Sequence, residues 1–211
     1  MKDEELDIYD ATGRHVGTAA RDVVHREGLW HKTIHCWVIN KEEGADYVVL
    51  QKRASTKKSW PGFLDITAAG HFRAGETLKD AVREIEEEIG IVVDERALIS
   101  LGTRVCVEEF SPGAVNHEFQ QVFFLIDNRN TRAYRQQKEE LDGLLRVPID
   151  DLLELFRGRV DTVSVTGVRP DGTPADFVVR REDFIPTLDN YNYKIAVLAR
   201  RALRQELDLL I

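Results

Sequence analysis

The stretch from Leu78 to Ile89 constrains this chain more than any other. Leu78, Ala81, Val82, Ile85 and Ile89 recur at three- and four-residue spacing and Gly90 follows as a stop, so the spacing predicts an amphipathic helix over 78–89. On a helix turning about 100° per residue, Glu84, Glu87 and Glu88 share a face beside that apolar stripe. Three carboxylates within one turn repel one another. The arrangement becomes favourable when a hard divalent cation sits among them. Magnesium suits, because it also binds phosphate oxygens and activates water. Taken alone, the same run also reads as a solvated acidic face, the usual fate of a charge run.

The rest of the sequence frames that helix as part of one domain of mixed α and β type. The chain has 211 residues, 43% of them hydrophobic and 31% charged, enough to bury a core and unlike a disordered, collagen-like or disulfide-framed chain. Its net charge of −8 argues against a general nucleic-acid or anionic-membrane binder and leaves small anionic ligands to a local basic patch. Cys36 and Cys106 lie in apolar, strand-like stretches and read as buried thiols, with neither metal spacing nor a disulfide framework. The N-terminus is polar and acidic, and the longest clean apolar run, Val122 to Ile126, is too short to span a bilayer. The expected location is the cytoplasm.

Strands are expected over Thr33–Asn40, Tyr47–Gln51, Leu98–Val107 and Phe119–Ile126, with a short one over Ile66–Ala69 ending at Gly70. Residues 1–29 read as an N-terminal strand or hairpin, 30–160 as the core, and 160–211 as an elaboration. The loops are expected at Arg53–Leu64 and at Glu108–Asn116, the latter carrying Pro112 and Gly113. A short helix is expected over Ile149–Phe156. Pro170-Asp171-Gly172 marks a hairpin between Val160–Val168 and Ala175–Arg180. The terminal helix, Tyr193 to Leu207, carries Arg200, Arg201 and Arg204 on one side and Leu198, Leu203 and Leu207 on another. It either closes the domain or forms a homodimer contact.

The segment Gly70-His71-Phe72-Arg73-Ala74-Gly75-Glu76, with Arg83-Glu84-Ile85-Glu86-Glu87-Glu88-Ile89-Gly90-Ile91, resembles the Nudix box, G-x5-E-x7-R-E-U-x-E-E-x-G-U. Everything from Arg83 onward fits, but six residues separate Glu76 from Arg83 where the pattern has seven. Resemblance to this family implies an α/β/α sandwich with a mixed sheet and hydrolysis of a diphosphate linkage with magnesium or manganese. It implies that Glu84, Glu87 and Glu88 hold metal and help activate water, that Arg83 orients the glutamates, and that Gly70 adds a backbone carbonyl. In the family the first glutamate braces the arginine, so the role of Glu76 turns on whether the shortened stretch still lets them meet.

The stretches His31–Trp37, Gln51–Gly62 and Ala68–His71 are similar to the isopentenyl-diphosphate isomerase branch of the same superfamily. That likeness implies that Arg53 and Lys57 bind the substrate diphosphate. It places His25, His31 and His71 at a metal site, with Glu118 at one acidic position and Asn116 at the other. Glu118 reads as a supplementary metal ligand or base near the box helix. The branch's catalytic cysteine is replaced by Ala69, which cannot move a proton on or off carbon. A complete box beside that alanine favours a hydrolase over an isomerase. A non-catalytic Nudix ligand-binding module typically loses the box carboxylates that this chain keeps. The aromatic residues Trp30, Trp37, Trp60, Phe63, Phe110 and Phe119 read either as a wall for a base or isoprenoid chain or as core.

Overall fold

A computed structural model of the chain describes residues 4–42, 44–57, 59–111, 114–206 and 208–211, with side chains described outside 109–111 and 114. The fold is organised by β3 (His31–Glu42), buried along most of its length. A strand covered on both faces needs partners on both edges. On one edge β8 (Ala114–Ile126) runs parallel to it, pairing His31 with Glu118 and continuing to Ile39 with Ile126. Two antiparallel partners share the other edge: β6 (Ala68–His71) beside Thr33–Cys36, then β4 (Ala45–Arg53) beside Ile39–Glu42. The sheet extends from β4 through β9 (Leu141–Pro148), β10 (Val163–Val168) and β11 (Pro174–Val179), and from β8 to β7 (Leu98–Ser111). β5 (Leu64–Asp65) lies along the last residues of β4. A separate ribbon, β1 (Glu5–Tyr9) with β2 (His15–Ala20), leads into α1 (Arg21–Glu27).

Alternation along the central strands divides the core into two layers. Trp37, Ile39, Val48, Leu50 and Phe124 face α4 (Ile149–Phe156) and α5 (Tyr191–Leu203). Cys36, Val38, Val49 and Leu125 face the other way, where Ile85 and Ile89 of α3 (Arg83–Ile89) pack on them. Helices on both faces of a mixed sheet make the expected α/β/α sandwich. The apolar side of α5 (Ile195, Ala196, Leu198, Ala199, Ala202 and Leu203) is spent on this core, so the terminal helix closes the domain. Leu207, expected on that stripe, lies outside the described residues.

Four expectations change. The predicted helix over 78–89 is two pieces, α2 (Leu78–Ala81) and α3, joined at Val82. Val82 N–H still donates to Leu78 O, but Ile85 N–H donates three residues back to Val82 O, tightening the chain at that point. The expected loop at 108–116 is strand: β7 and β8 pair out to Ser111 and Ala114, with Pro112 and Gly113 outside the described residues. β9 was not expected, although Leu141, Leu144, Leu145 and Val147 mark an apolar strand. It supplies the partner that β4 needs on its second edge. The short helix α1 was also missed, since it buries only Val24.

Gly90 ends α3 with φ 71°, and a Cβ there would come within 2.6 Å of Cβ of Arg135. Replacing Gly90 with alanine is expected to destabilise the protein by about 1–2 kcal/mol or more, the cost of a left-handed alanine plus the steric shift. Urea unfolding measures this; an unchanged midpoint with an unchanged slope contradicts it.

Candidate functional site

The site is built around β6, four residues whose side chains alternate between the two faces of the sheet. Ala69 and His71 pair with His35 and Thr33 and share their face, whereas Ala68 and Gly70 face the layer that holds α3. One short strand therefore borders two clusters of chemically competent groups.

On the α3 side, Glu84 lies directly against Gly70. A Cβ at position 70 would overlap its carboxyl group, so only glycine leaves room for Glu84 to reach the backbone of β6. Glu88 is 9% exposed and accepts a hydrogen bond from the Ala69 N–H at 3.1 Å. Burial is the main reason that Glu88 is pushed well above the usual carboxylate range, and Glu84, Glu140 and Asp65 add to it. Burial raises Glu84 too, against the lowering effect of Arg83. Glu87, with half of its side chain exposed, stands 3.6 Å from Arg83 Nη1. The shortened stretch does bring Glu76 and Arg83 together: Nε and Nη2 of Arg83 donate to the two carboxylate oxygens of Glu76 at 2.9 and 3.1 Å. The same guanidinium donates to Glu84 and, at 3.3 Å, to the carbonyl of His71. The clustered carboxylates, one buried and holding a single N–H bond among the described residues, are hard oxygen donors that fit magnesium or manganese.

On the opposite face His25, His31 and His71 converge, each offering a ring nitrogen within 4.8 Å of the others. His31 and His71 stack with ring centroids 5.3 Å apart, and His25 meets both edge-on at 5.1 Å. His31 Nδ1 lies 2.9 Å from the Leu29 carbonyl, leaving Nε2 turned toward the cluster. The Nε2 atoms of His31 and His71 are buried without a hydrogen-bond partner among the described residues. Burial lowers His25 and His71, keeping them in the neutral form that binds metal. Glu118 Oε1 is 3.6 Å from His31 Nε2. Orphaned imidazole nitrogens beside a buried carboxylate fit a divalent ion. Burial works against the charge on Glu118, and the adjacent imidazole of His31 holds its pKa below the ordinary carboxylate value all the same.

The expected diphosphate ligands are each already engaged. Arg53 donates to Asp65 at 2.8 Å and to the carbonyl and hydroxyl of Ser59, and Lys57 pairs with Glu140. Sequence reasoning missed Asp65 and Glu140, because nothing in their spacing marks them as counterions. It also missed Glu4, which pairs with Arg21 and Arg73. Among the aromatics, Trp37 is core, while Trp30 stacks with both His117 and Phe119 at 4.7 Å between ring centroids. Trp60, at φ 49°, packs edge-on against Phe63 in the loop beside Arg53. The side chain of Phe110 lies outside the described residues.

Comparison with known proteins agrees with this architecture. The NUDIX domain family model matches residues 29–166. An uncharacterized Nudix hydrolase from Clostridium acetobutylicum is 34% identical over 204 residues, 94% of this chain and 98% of that protein. An isopentenyl-diphosphate Delta-isomerase from Corynebacterium diphtheriae is 37% identical over 163 residues, covering 72% of this chain and 84% of that one. Among solved structures, a Deinococcus radiodurans protein aligns with a TM-score of 0.54 at 22% identity, over 74% of this chain and 90% of its own.

The buried carboxylates set a sign for the pH dependence of stability. A carboxyl raised by folding holds its proton longer in the native state, so the metal-free protein loses stability as pH rises from 4.5 through the raised value. The lowered histidines act oppositely, losing stability as pH falls below 6.5. The clean measurement is therefore a difference. In chelator, the melting temperature of Glu88→Gln is expected to gain on the parent progressively as pH rises from 4.5 into the neutral range. A gap that stays flat across that interval contradicts the burial cost assigned to Glu88.

Proposed function

The chain belongs to the Nudix family, and we propose that it hydrolyses a small-molecule diphosphate, of isoprenoid or nucleoside type, with a metal-activated water. The observation that carries this is the complete set Glu84, Glu87 and Glu88 on α3, clamped to β6 through Gly70 and Ala69 and braced by the Arg83–Glu76 fork. Glu84 and Glu88 would hold magnesium or manganese, with the Gly70 region contributing backbone. Such an ion, when bound, neutralises the diphosphate and makes a bound water acidic.

Arg83 keeps Glu84 oriented and spreads positive charge across the helix start. The attacking water oxygen bonds to phosphorus while a box carboxylate takes its proton. The bridging P–O bond then breaks, and its electron pair leaves with the departing oxygen. Arg53 and Lys57 would be the cations that bind the diphosphate. They reach it by exchanging Asp65 and Glu140 for phosphate oxygens, which offer the same charge-assisted geometry. On the other face the three histidines and Glu118 would hold a second divalent ion.

Those histidines, with Arg53, Lys57 and the isomerase-named relatives, also favour a second activity, isomerisation of isopentenyl diphosphate. Isomerisation needs one group to give a proton to carbon and another to remove one. At position 69, beside His35, this chain has only a methyl group. Hydrolysis needs no group there.

The test is phosphate release with magnesium or manganese across isopentenyl diphosphate, nucleoside diphosphate sugars, dinucleoside polyphosphates and oxidised nucleotides, with isopentenyl diphosphate also followed for isomerisation. Metal-dependent hydrolysis of at least one member is expected, and Glu84→Gln and Glu88→Gln should each lower its kcat by roughly a hundredfold or more. Isomerisation or bare binding in place of hydrolysis overturns the proposal. Arg53→Ala and Lys57→Ala are expected to raise KM more than they lower kcat. A charge-assisted contact worth about 1.5–3 kcal/mol corresponds to roughly tenfold or more. An unchanged KM in both variants removes them from the diphosphate site.

A further inference from the structure

Glu118 is the only carboxylate among the described residues within salt-bridge distance of the histidine trio, and a chain of side chains running to the C-terminal segment fixes its orientation. Its Oε2 accepts a hydrogen bond from Gln120 Nε2 at 2.6 Å, and its Oε1 accepts one from Asn116. The amide of Gln120 has no freedom to flip. Its oxygen accepts from Arg104 Nη1, and a guanidinium can only donate. Its nitrogen must therefore face Glu118, which when ionised can only accept. A glutamine is the adapter that a donor-only group and an acceptor-only group require between them.

Arg104 is itself held as a fork. Nε and Nη2 donate to the two carboxylate oxygens of Asp189 at 3.0 and 2.8 Å, and the guanidinium lies 4.3 Å from the ring centroid of Tyr191. Asp189 and Tyr191 lie beyond residue 166, outside the segment that the family model matches. Register explains why this works across the sheet. Arg104 of β7 pairs with Gln120 of β8, and Gln120 stands two residues from Glu118 on the same face, opposite Thr33 of β3.

We infer that Gln120, locked by Arg104 and Asp189, is a positioning residue that holds Oε2 of Glu118 and so presents Oε1 to the histidine cluster, making the C-terminal segment part of the metal-binding apparatus. The inference rests on Glu118 serving that cluster as a ligand. Partners of this kind behind a metal ligand are typically worth ten- to a hundredfold in metal affinity.

Cobalt(II) is the probe, titrated into the full chain and followed by visible absorbance, with thermal melting of the metal-free protein alongside. Gln120→Leu is expected to weaken cobalt binding at the histidine site ten- to a hundredfold, while the melting temperature falls by no more than a few degrees. Asp189→Asn, a change at a partly exposed position that keeps the fold, should weaken it several-fold in the same direction. If Glu118→Gln abolishes tight cobalt binding but Gln120→Leu and Asp189→Asn leave the affinity untouched, the positioning role is overturned and the ligand role of Glu118 stands. If Glu118→Gln leaves both spectrum and affinity unchanged, the ligand role falls and the positioning role with it.

Discussion

Everything at this site depends on how closely α3 approaches the backbone of β6. Ile85 and Ile89 anchor the helix in the layer of Cys36, Val38 and Val49, and that apolar contact brings Glu84 and Glu88 within reach of the strand. The approach is possible because position 70 carries no side chain. The N–H of Ala69 then partly offsets the cost of burying Glu88. One hydrogen bond does not fully compensate a buried carboxylate. The apolar packing forces Glu88 into a place that it would not choose alone, and the resulting demand for positive charge suits the cluster to a divalent cation.

The missing residue between Glu76 and Arg83 shows how such a site tolerates a change in spacing. In a continuous helix, removing one residue would rotate everything before it by about 100° relative to everything after it. Here the backbone tightens at Val82 into a three-residue hydrogen bond and divides α2 from α3. The tightening lies ahead of the turn that carries Glu84, Glu87 and Glu88. The Arg83–Glu76 fork survives because Glu76 sits in a loop, after the left-handed Gly75, where its position can adjust.

What was legible in the sequence follows from this division. The carboxylate turn of the box, the central strands β3 and β4, and α4 carry strong local periodicity, and they lie where the periodicity puts them. β9 was missed because Asp142, Gly143 and Arg146 interrupt its apolar run, and its strand character comes from filling the gap between β4 and β10. The break at Val82 was equally hidden, since its apolar spacing fits one helix as well as two. The histidine cluster was legible only through resemblance, because His25, His31 and His71 come from a helix and two strands that the fold brings together. Asp65, Glu140, Arg104 and Asp189 carry no signature at all. A counterion needs only charge and reach, and both are supplied by tertiary structure.

The two faces of β6 also keep the two clusters largely independent of each other. The face of His35 and Glu118 keeps its buried donors and a backing network through Gln120, Arg104 and Tyr191, so its electrostatics survive with alanine at position 69. What position 69 lacks is a group able to exchange protons with carbon, a role that no backbone atom fills. The opposite face needs no such group. Its carboxylates lie within one turn of α3, and its counterions Arg53 and Lys57 are held nearby by Asp65 and Glu140. Those pairs hold the cations oriented, so under the proposed role an exchange of carboxylate for phosphate costs little reorganisation. The α3 face thus carries every group that the proposed hydrolysis uses, while the opposite face has only a methyl group at position 69, where isomerisation would need an acid.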